Sequence, residues 1–137
     1  MLHLFRALRP IFAMAMLLFN PTAVAAQQTE LIVRVSEIEI VSSYLDKYKA
    51  ILKEEAASSV RLEPGVIAIF PMYQKEHPSQ VRILELYATR EAYESHLQTS
   101  HFQRYKTTTL RMVKSLKLVD MGVIDAESMS RIFRKMP

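Results

Sequence analysis

The stretch ILELYATREAYESHLQTSHFQRYKTTTL, residues 83–110, decides the fold because it changes from a strand pattern to a helix pattern within a few residues. Side chains alternate between two faces over its first six residues, as they do in a β-strand. Thr89 is then suitably placed to cap a helix, and Gln98-Thr99-Ser100 interrupts that helix before it resumes at His101. We therefore expect a strand followed directly by a broken helix.

The remainder of the chain contains one further helix and three further strands. The β-branched run at residues 31–40 predicts the first strand, and apolar residues at helical spacing predict a helix from about Tyr44 to Ser59. A second strand is expected at residues 66–73, where Pro71 indicates an edge position or a bulge. The last strand is expected at residues 115–121.

This order of elements, β-α-β-β-α-β with a broken second helix, is the split βαβ pattern of an α+β, ferredoxin-like fold. Such a fold has a four-stranded antiparallel sheet with both helices on one face. The other face would carry many apolar side chains, which a soluble monomer rarely exposes. We therefore expect a homodimer through the sheet face, because a two-fold contact buries the same patch on both copies.

The first 26 residues are expected to form a secretory signal peptide. Two arginines precede the apolar run IFAMAMLLF at residues 11–19, Asn20-Pro21 breaks the helix, and small residues allow cleavage after Ala25 or Ala26. The run is far shorter than the ~20 residues of a spanning helix, which disfavours an uncleaved membrane anchor. The chain has no cysteine to carry a lipid anchor. These features predict a periplasmic or secreted protein without a stable membrane anchor.

The mature chain is expected to form one domain at residues 27–121, followed by a tail at residues 122–137 that packs on the domain or on a dimer partner. Half of all residues are apolar, and the lack of cysteine excludes a disulfide framework and thiolate chemistry. Removal of two arginines with the signal peptide lowers the net charge from +4 to +2. So small a charge gives no electrostatic basis for binding nucleic acid.

Three segments carry a family resemblance: LELYATREAYESHLQTSHFQRY at residues 84–105, RLEPGV at residues 61–66 and MVKSLKLVDM at residues 112–121. The most specific part is E-x-Y followed by A-x-x-x-H-x-x-x-x-H-F. In these segments the chain resembles the antibiotic biosynthesis monooxygenase (ABM) family of dimeric α/β-barrel proteins, and in particular its small quinol monooxygenases. The resemblance extends from residue 31 to about residue 121.

The resemblance implies a cofactor-independent monooxygenase that oxidises an electron-rich aromatic, such as a quinol, with dioxygen. That chemistry requires no metal or flavin, because a deprotonated phenol can pass an electron directly to dioxygen. The protein then supplies a base, a dry cavity and partners that hold the anion. An isomerase of small carbonyl metabolites and a non-catalytic, small-molecule-binding dimer stay open as alternatives, since one fold hosts many functions.

Under this interpretation His96, His101 and Glu85 are the catalytic candidates. Either histidine suits a base or a hydrogen-bond partner of the anion, because imidazole changes its protonation near neutral pH. Glu85 would orient a histidine or bind a substrate hydroxyl. The ordinary alternatives are a core histidine at position 96, a cap or surface residue at position 101, and an ion pair of Glu85 with Arg34 or Arg82.

Four aromatic residues are predicted to line the substrate cavity: Phe70, Tyr87, Phe102 and Tyr105. Each could also be an ordinary core residue, because aromatics at strand and helix spacing usually are. No metal or other cofactor is expected. The two histidines are five residues apart across a break rather than on one helical face, and neither a cysteine cluster nor an HExxH motif accompanies them.

Overall fold

The structure of the chain is a computed structural model that describes residues 31–135. The predicted signal peptide and its cleavage site lie outside these residues. Four strands, β1 to β4, span Ile32–Ile40, Val66–Tyr73, Gln80–Tyr87 and Val113–Met121. Four helices, α1 to α4, span Leu45–Leu62, Arg90–His96, Ser100–Thr109 and Glu127–Phe133. Single 3-10 turns at Ser42–Tyr44 and Leu110–Met112 precede α1 and β4.

The four strands form one antiparallel sheet in the order β2-β3-β1-β4. This arrangement confirms the predicted ferredoxin-like α+β fold, with β1 at the centre of the sheet. Strand β2 lies at an edge, as Pro71 indicated, because proline has no amide hydrogen to donate to a neighbouring strand. The register of β2 also shifts once, between Val66 and Ala68.

Strand register decides which side chains face the helices. Ile38 of β1 lies opposite Val81 of β3, and Ser36 lies opposite Ile83, so these four share one face. The core forms where Tyr48 and Leu52 of α1 pack on that face. It consists of seven buried side chains: Ile38, Ile40, Tyr48, Leu52, Val81, Ile83 and Met112.

Two threonines explain why the second helical segment is broken. The hydroxyl of Thr89 accepts a hydrogen bond from the amide of Ala92 and begins α2. The hydroxyl of Thr99 accepts one from the amide of Phe102 and begins α3, and it also donates to the carbonyl of His96 at the end of α2. Such caps satisfy amides that a first helical turn leaves unpaired. Thr99 therefore fixes the joint between α2 and α3.

Gly65, in the turn before β2, lies against α2. A Cβ atom at this position would come within 2.4 Å of the Cβ atom of Ala92. The Gly65 carbonyl also accepts a hydrogen bond from the amide of Ala88, immediately before α2. Glycine is needed here for close approach, and the contact fixes α2 relative to the end of α1.

The face of the sheet opposite the core retains exposed apolar side chains. Phe70 and Met72 of β2 are 56% and 41% exposed, and Met121 of β4 is 46% exposed. In the tail, Ile124 is fully exposed before α4 begins. Within residues 31–135, no helix has the length and apolarity needed to cross a membrane.

Candidate functional site

A cavity of about 640 Å³ lies between the core-facing side of the sheet and helices α2 and α3. Strands β1, β3 and β4 contribute its floor, and the two helices contribute most of its opposite wall. The floor includes Arg34, Ser36, Ile38, Ile83, Glu85 and Tyr87. The helical wall includes Tyr93, His96, Leu97, Phe102 and Tyr105. Most of this lining is apolar, with a few polar groups at defined positions, as is typical of small-molecule sites.

His96 is the buried titratable residue on the helical wall, with 4% of its surface exposed. Its Nδ1 atom lies 3.0 and 3.2 Å from the two carboxylate oxygens of Glu63. In the tautomer that donates from Nδ1 to this carboxylate, Nε2 carries the lone pair. Nε2 of His96 makes no hydrogen bond. Among the described residues, every fully buried polar side-chain atom has a hydrogen-bond partner, so Nε2 is not fully buried. Nε2 is therefore accessible, which places a free lone pair at the cavity.

His101 contacts the same carboxylate from the other side of the α2–α3 joint. Its Nε2 atom lies 2.6 Å from Oε1 of Glu63. His101 does not line the main cavity; it lines a smaller neighbouring one of about 180 Å³. Glu55 borders both cavities. The break in the helix brings the two histidines together on Glu63 but gives only His96 access to the main cavity.

Glu85 lies on the floor and is held by two hydroxyl groups. Ser36 Oγ donates to its Oε1 at 2.5 Å, and the Tyr87 hydroxyl donates to its Oε2 at 2.9 Å. Among residues 31–135, Glu85 makes no hydrogen bond to either histidine and no ion pair. The alternative ion pairs are absent because Arg34 pairs with Asp120 at 2.7 Å and Arg82 donates to backbone and amide oxygens. A carboxylate oxygen can accept more than one hydrogen bond, so each oxygen of Glu85 can still accept one from a ligand.

Three tyrosines around the cavity are held in their neutral form. Burial, reinforced by the Glu85 carboxylate, raises the pKa of Tyr87 well above its usual value. Burial and the contact with Tyr105 raise the pKa of Tyr48, whose hydroxyl lies 2.8 Å from that of Tyr105. Burial also raises the pKa of Tyr105. These hydroxyls therefore act as hydrogen-bond donors and acceptors rather than as bases.

Three of the four predicted aromatic walls line the cavity, namely Tyr87, Phe102 and Tyr105. The Phe102 ring lies 4.7 Å from the His96 ring, centroid to centroid, and so packs directly against it. Phe70, the fourth, does not line this cavity. Phe70 pairs with Leu84 on the opposite face of the sheet, where 56% of it is exposed.

Two glutamates of this site were not predicted. Glu55 lies on the buried stripe of α1, one helical turn from Leu52 and Ser59, and is 6% exposed. That spacing was a usable signal, since a carboxylate in an apolar stripe is unusual. Glu63 follows the end of α1 and precedes Pro64-Gly65. No periodic pattern identifies such a residue, and only the folded chain brings it to the histidines.

The cluster beneath the cavity also has the composition of a cation site. Glu55, His96 and His101 each place one ligand atom within 4.8 Å of those of the other two. Imidazole nitrogen and carboxylate oxygen are ligands that zinc and related ions accept.

Comparisons with known proteins agree with the fold. The sequence profile of the family described as antibiotic biosynthesis monooxygenase matches residues 31–108. A Bacteroides thetaiotaomicron protein, provisionally named an antibiotic biosynthesis monooxygenase, shares 46% identity and a TM-score of 0.69, over 70% of this chain and 91% of its own. No curated protein shows significant sequence similarity to this chain.

More distant structures share the same architecture. A protein of Lactobacillus acidophilus, provisionally named a monooxygenase, is 27% identical with a TM-score of 0.67, over 69% of this chain and 45% of its own. A Nitrosomonas europaea protein, again provisionally named an antibiotic biosynthesis monooxygenase, is 20% identical with a TM-score of 0.67. That match covers 72% of this chain and 95% of the other, and it shows the fold alone.

Proposed function

Because the chain belongs to the antibiotic biosynthesis monooxygenase family, we propose that it is a cofactor-independent monooxygenase that oxidises an electron-rich aromatic such as a quinol. The observation that carries the proposal is His96, a buried imidazole whose Nδ1 is held by Glu63 and whose Nε2 is free at an apolar cavity. A base that is oriented and partly dehydrated in this way is suited to removing a phenolic proton.

The reaction starts when Nε2 of His96 takes the proton of a substrate hydroxyl. The carboxylate of Glu63 then faces an imidazolium ion at 3.0 Å, which stabilises the charge that forms on the ring. His101, bound to the same carboxylate, limits how far Glu63 can move. Glu63 is therefore a positioning residue, and His96 is the proposed catalytic base.

The resulting phenolate passes one electron to dioxygen, giving a substrate radical and superoxide. Their combination forms a carbon–oxygen bond, and the peroxide accepts the proton carried by His96. Removal of the hydrogen on the same carbon, with cleavage of the oxygen–oxygen bond, leaves a carbonyl and releases water. For a quinol, one dioxygen is consumed and the products are a hydroxyquinone and one water molecule. The mostly apolar lining of the cavity favours this sequence because it limits the contact of the radical pair with water.

Other groups at the cavity would hold the two ends of the substrate. Glu85 can accept a hydrogen bond from a second hydroxyl, and Ser36 and Tyr87 fix its orientation. The Tyr105 hydroxyl, supported by Tyr48, is a neutral donor suited to an anionic oxygen. Because these polar groups lie on the sheet and on α3, a flat diol could contact both and lie against Phe102.

Two further proposals concern the assembly and the location of the protein. The apolar side chains on the open sheet face, Phe70, Met72 and Met121, support a symmetric homodimer through that face. The pattern of residues 1–26 supports export through a cleaved signal peptide, to the periplasm or the exterior.

Oxygen consumption tests the proposed activity. Purified, chelator-treated protein is mixed with a panel of hydroquinones, and oxygen uptake is compared with the spontaneous rate. We expect His96→Gln to lower kcat by about a hundredfold, because general-base catalysis contributes that much or more. The control His77→Gln replaces an exposed histidine of the β2–β3 loop and should keep the wild-type rate.

Two results would contradict the proposal. Equal rates for His96→Gln and wild type would remove His96 as the base. Quinol binding, detected by quenching of tyrosine fluorescence, without oxygen uptake by the wild-type protein would instead identify a non-catalytic binding dimer.

A further inference from the structure

The buried cluster beside the cavity contains two carboxylates that pair with no lysine or arginine among the described residues. Glu55 is 6% exposed, and the side chain of Glu63 is 12% exposed. Among the described residues, no lysine or arginine pairs with either one; arginine and lysine pair instead with Asp120, Glu54 and Glu39. Glu55 accepts only the hydroxyl of Ser59, at 2.9 Å. Buried carboxylates ordinarily require a counter-charge, and a cation bound beside them would supply one.

Each histidine of the cluster has one nitrogen engaged and one free. Glu63 accepts from Nδ1 of His96 and from Nε2 of His101. Nε2 of His96 and Nδ1 of His101 make no hydrogen bond in the structure. A carboxylate that binds one ring nitrogen and leaves the other free is the usual arrangement around metal-binding histidines, because it fixes the tautomer and the ring orientation.

We propose that Glu55, His96 and His101 form a binding site for one divalent transition-metal ion, next to the Glu63 carboxylate that contacts both imidazoles. The three ligand atoms lie within 4.8 Å of one another. Bonds of about 2.1 Å to a tetrahedral ion require ligands roughly 3.4 Å apart, so side-chain rotations bring them into range. Two nitrogens and one carboxylate select Zn²⁺, Co²⁺ or Ni²⁺ over Ca²⁺ and Mg²⁺, which prefer oxygen ligands throughout.

The smaller cavity supplies a route for the ion. It is lined by Glu55 and His101 and lies beside the exposed pair formed by Glu54 and Arg104. An ion can therefore reach the cluster without passing through the main cavity. The two cavities meet at Glu55 and Tyr105, so the metal and an aromatic ligand would approach His96 from different sides.

Metal binding has a functional consequence that rests on the proposed monooxygenase reaction. A cation ligated by His96 withdraws electron density from the imidazole that the reaction uses to remove a proton, and so makes it a weaker base. We therefore expect one equivalent of Zn²⁺ to inhibit oxygen uptake, with half-inhibition at the measured dissociation constant. Binding itself does not depend on the activity, so a protein without turnover still tests the site.

The site is tested with full-length protein that carries no histidine tag and has been treated with a chelator. Titration calorimetry with ZnCl₂ should give one ion per chain, and MgCl₂ and CaCl₂ should give no heat. Glu55→Gln and His101→Gln should each raise the dissociation constant by about tenfold to a hundredfold or more. The matched control His77→Gln should stay within twofold of wild type.

A measurement on the wild-type protein covers the case in which a variant does not fold. In ¹H–¹⁵N spectra of the histidine rings, Zn²⁺ should shift the signals of His96 and His101 and leave that of His77 unchanged. Absence of a one-to-one site, equal weakening by all three substitutions, or shifts confined to His77 would each overturn the proposal.

Discussion

Glu63 binds two imidazole rings with one carboxylate, and this makes its charge more important than its size. Its Oε1 atom lies 3.0 Å from His96 and 2.6 Å from His101. An amide in its place keeps the shape but loses the negative charge, and with it the stabilisation of a protonated histidine. The substitution therefore separates orientation from electrostatics.

We predict that Glu63→Gln lowers kcat for quinol oxidation by about tenfold to a hundredfold and leaves KM within twofold, because the substrate does not contact Glu63. The control Glu54→Gln removes an equally acidic residue of α1 whose partner, Arg104, is exposed. Steady-state kinetics with thermal melting of each variant provide the measurement. An increase in KM at unchanged kcat would show that Glu63 shapes the binding cavity instead.

At the same scale, the sequence identified side chains that lie on a regular face and missed those that do not. Glu85 follows the alternation of β3, so its position on the core-facing side was predictable. Glu63 lies between a helix and a turn, where no period applies. The sequence did not predict the sheet face on which Phe70 lies, because β2, VIAIFPMY, is apolar on both faces and has no alternation that would assign its side chains to one face.

The turn before β2 lies so close to α2 at Gly65 that one added methyl group should destabilise the fold. We predict that Gly65→Ala lowers the free energy of unfolding by about 1–3 kcal/mol, because its Cβ would overlap that of Ala92. Urea denaturation followed by circular dichroism measures the effect.

A second substitution checks the cause. Ala92→Gly removes the opposing methyl group and costs about 1 kcal/mol by itself, since glycine weakens a helix interior. Combined with Gly65→Ala it should cost less than the sum of the two single changes. Additive effects would mean that the contact between the turn and α2 does not limit stability.

Element order and type were predictable throughout residues 31–121, because most elements carry their own periodicity and the apolar run of β2 lies between the Pro64-Gly65 turn and a polar loop. The break between α2 and α3 was also predictable from Gln98-Thr99-Ser100. The directions in which the break turns His96 and His101 were not predictable, because the angle between two short helices depends on packing. That angle directs His96 to the main cavity and His101 to the smaller one.

For the whole molecule, the three buried tyrosines predict a stability limit at high pH. Tyr48, Tyr87 and Tyr105 have raised pKa values in the folded chain, whereas a tyrosine in the unfolded chain ionises near pH ~10. Above that pH the unfolded chain binds fewer protons than the folded one, so stability falls as pH rises. Absorbance at 295 nm should therefore show three of the six tyrosines ionising only when circular dichroism reports unfolding. Ionisation of all six tyrosines before unfolding would contradict the raised pKa values of these three.

The proposed homodimer is tested by a charge on the open sheet face. Phe70→Lys should shift sedimentation from dimer to monomer with little loss of folding, because the side chain is already 56% exposed within one chain. Val60→Lys, at a similarly exposed position of α1, is the matched control and should leave the dimer intact. A monomeric wild-type protein would refute the assembly.

The central position of β1 gives the site a rigid base. Its amides bond to β3 on one side and to β4 on the other, whereas α2 and α3 are short helices joined at Thr99. Amide hydrogen exchange should therefore be slowest around Ser36 and much faster in both short helices. A bound aromatic should slow exchange in α2 and α3, which wall the cavity, while leaving exchange in β1 unchanged.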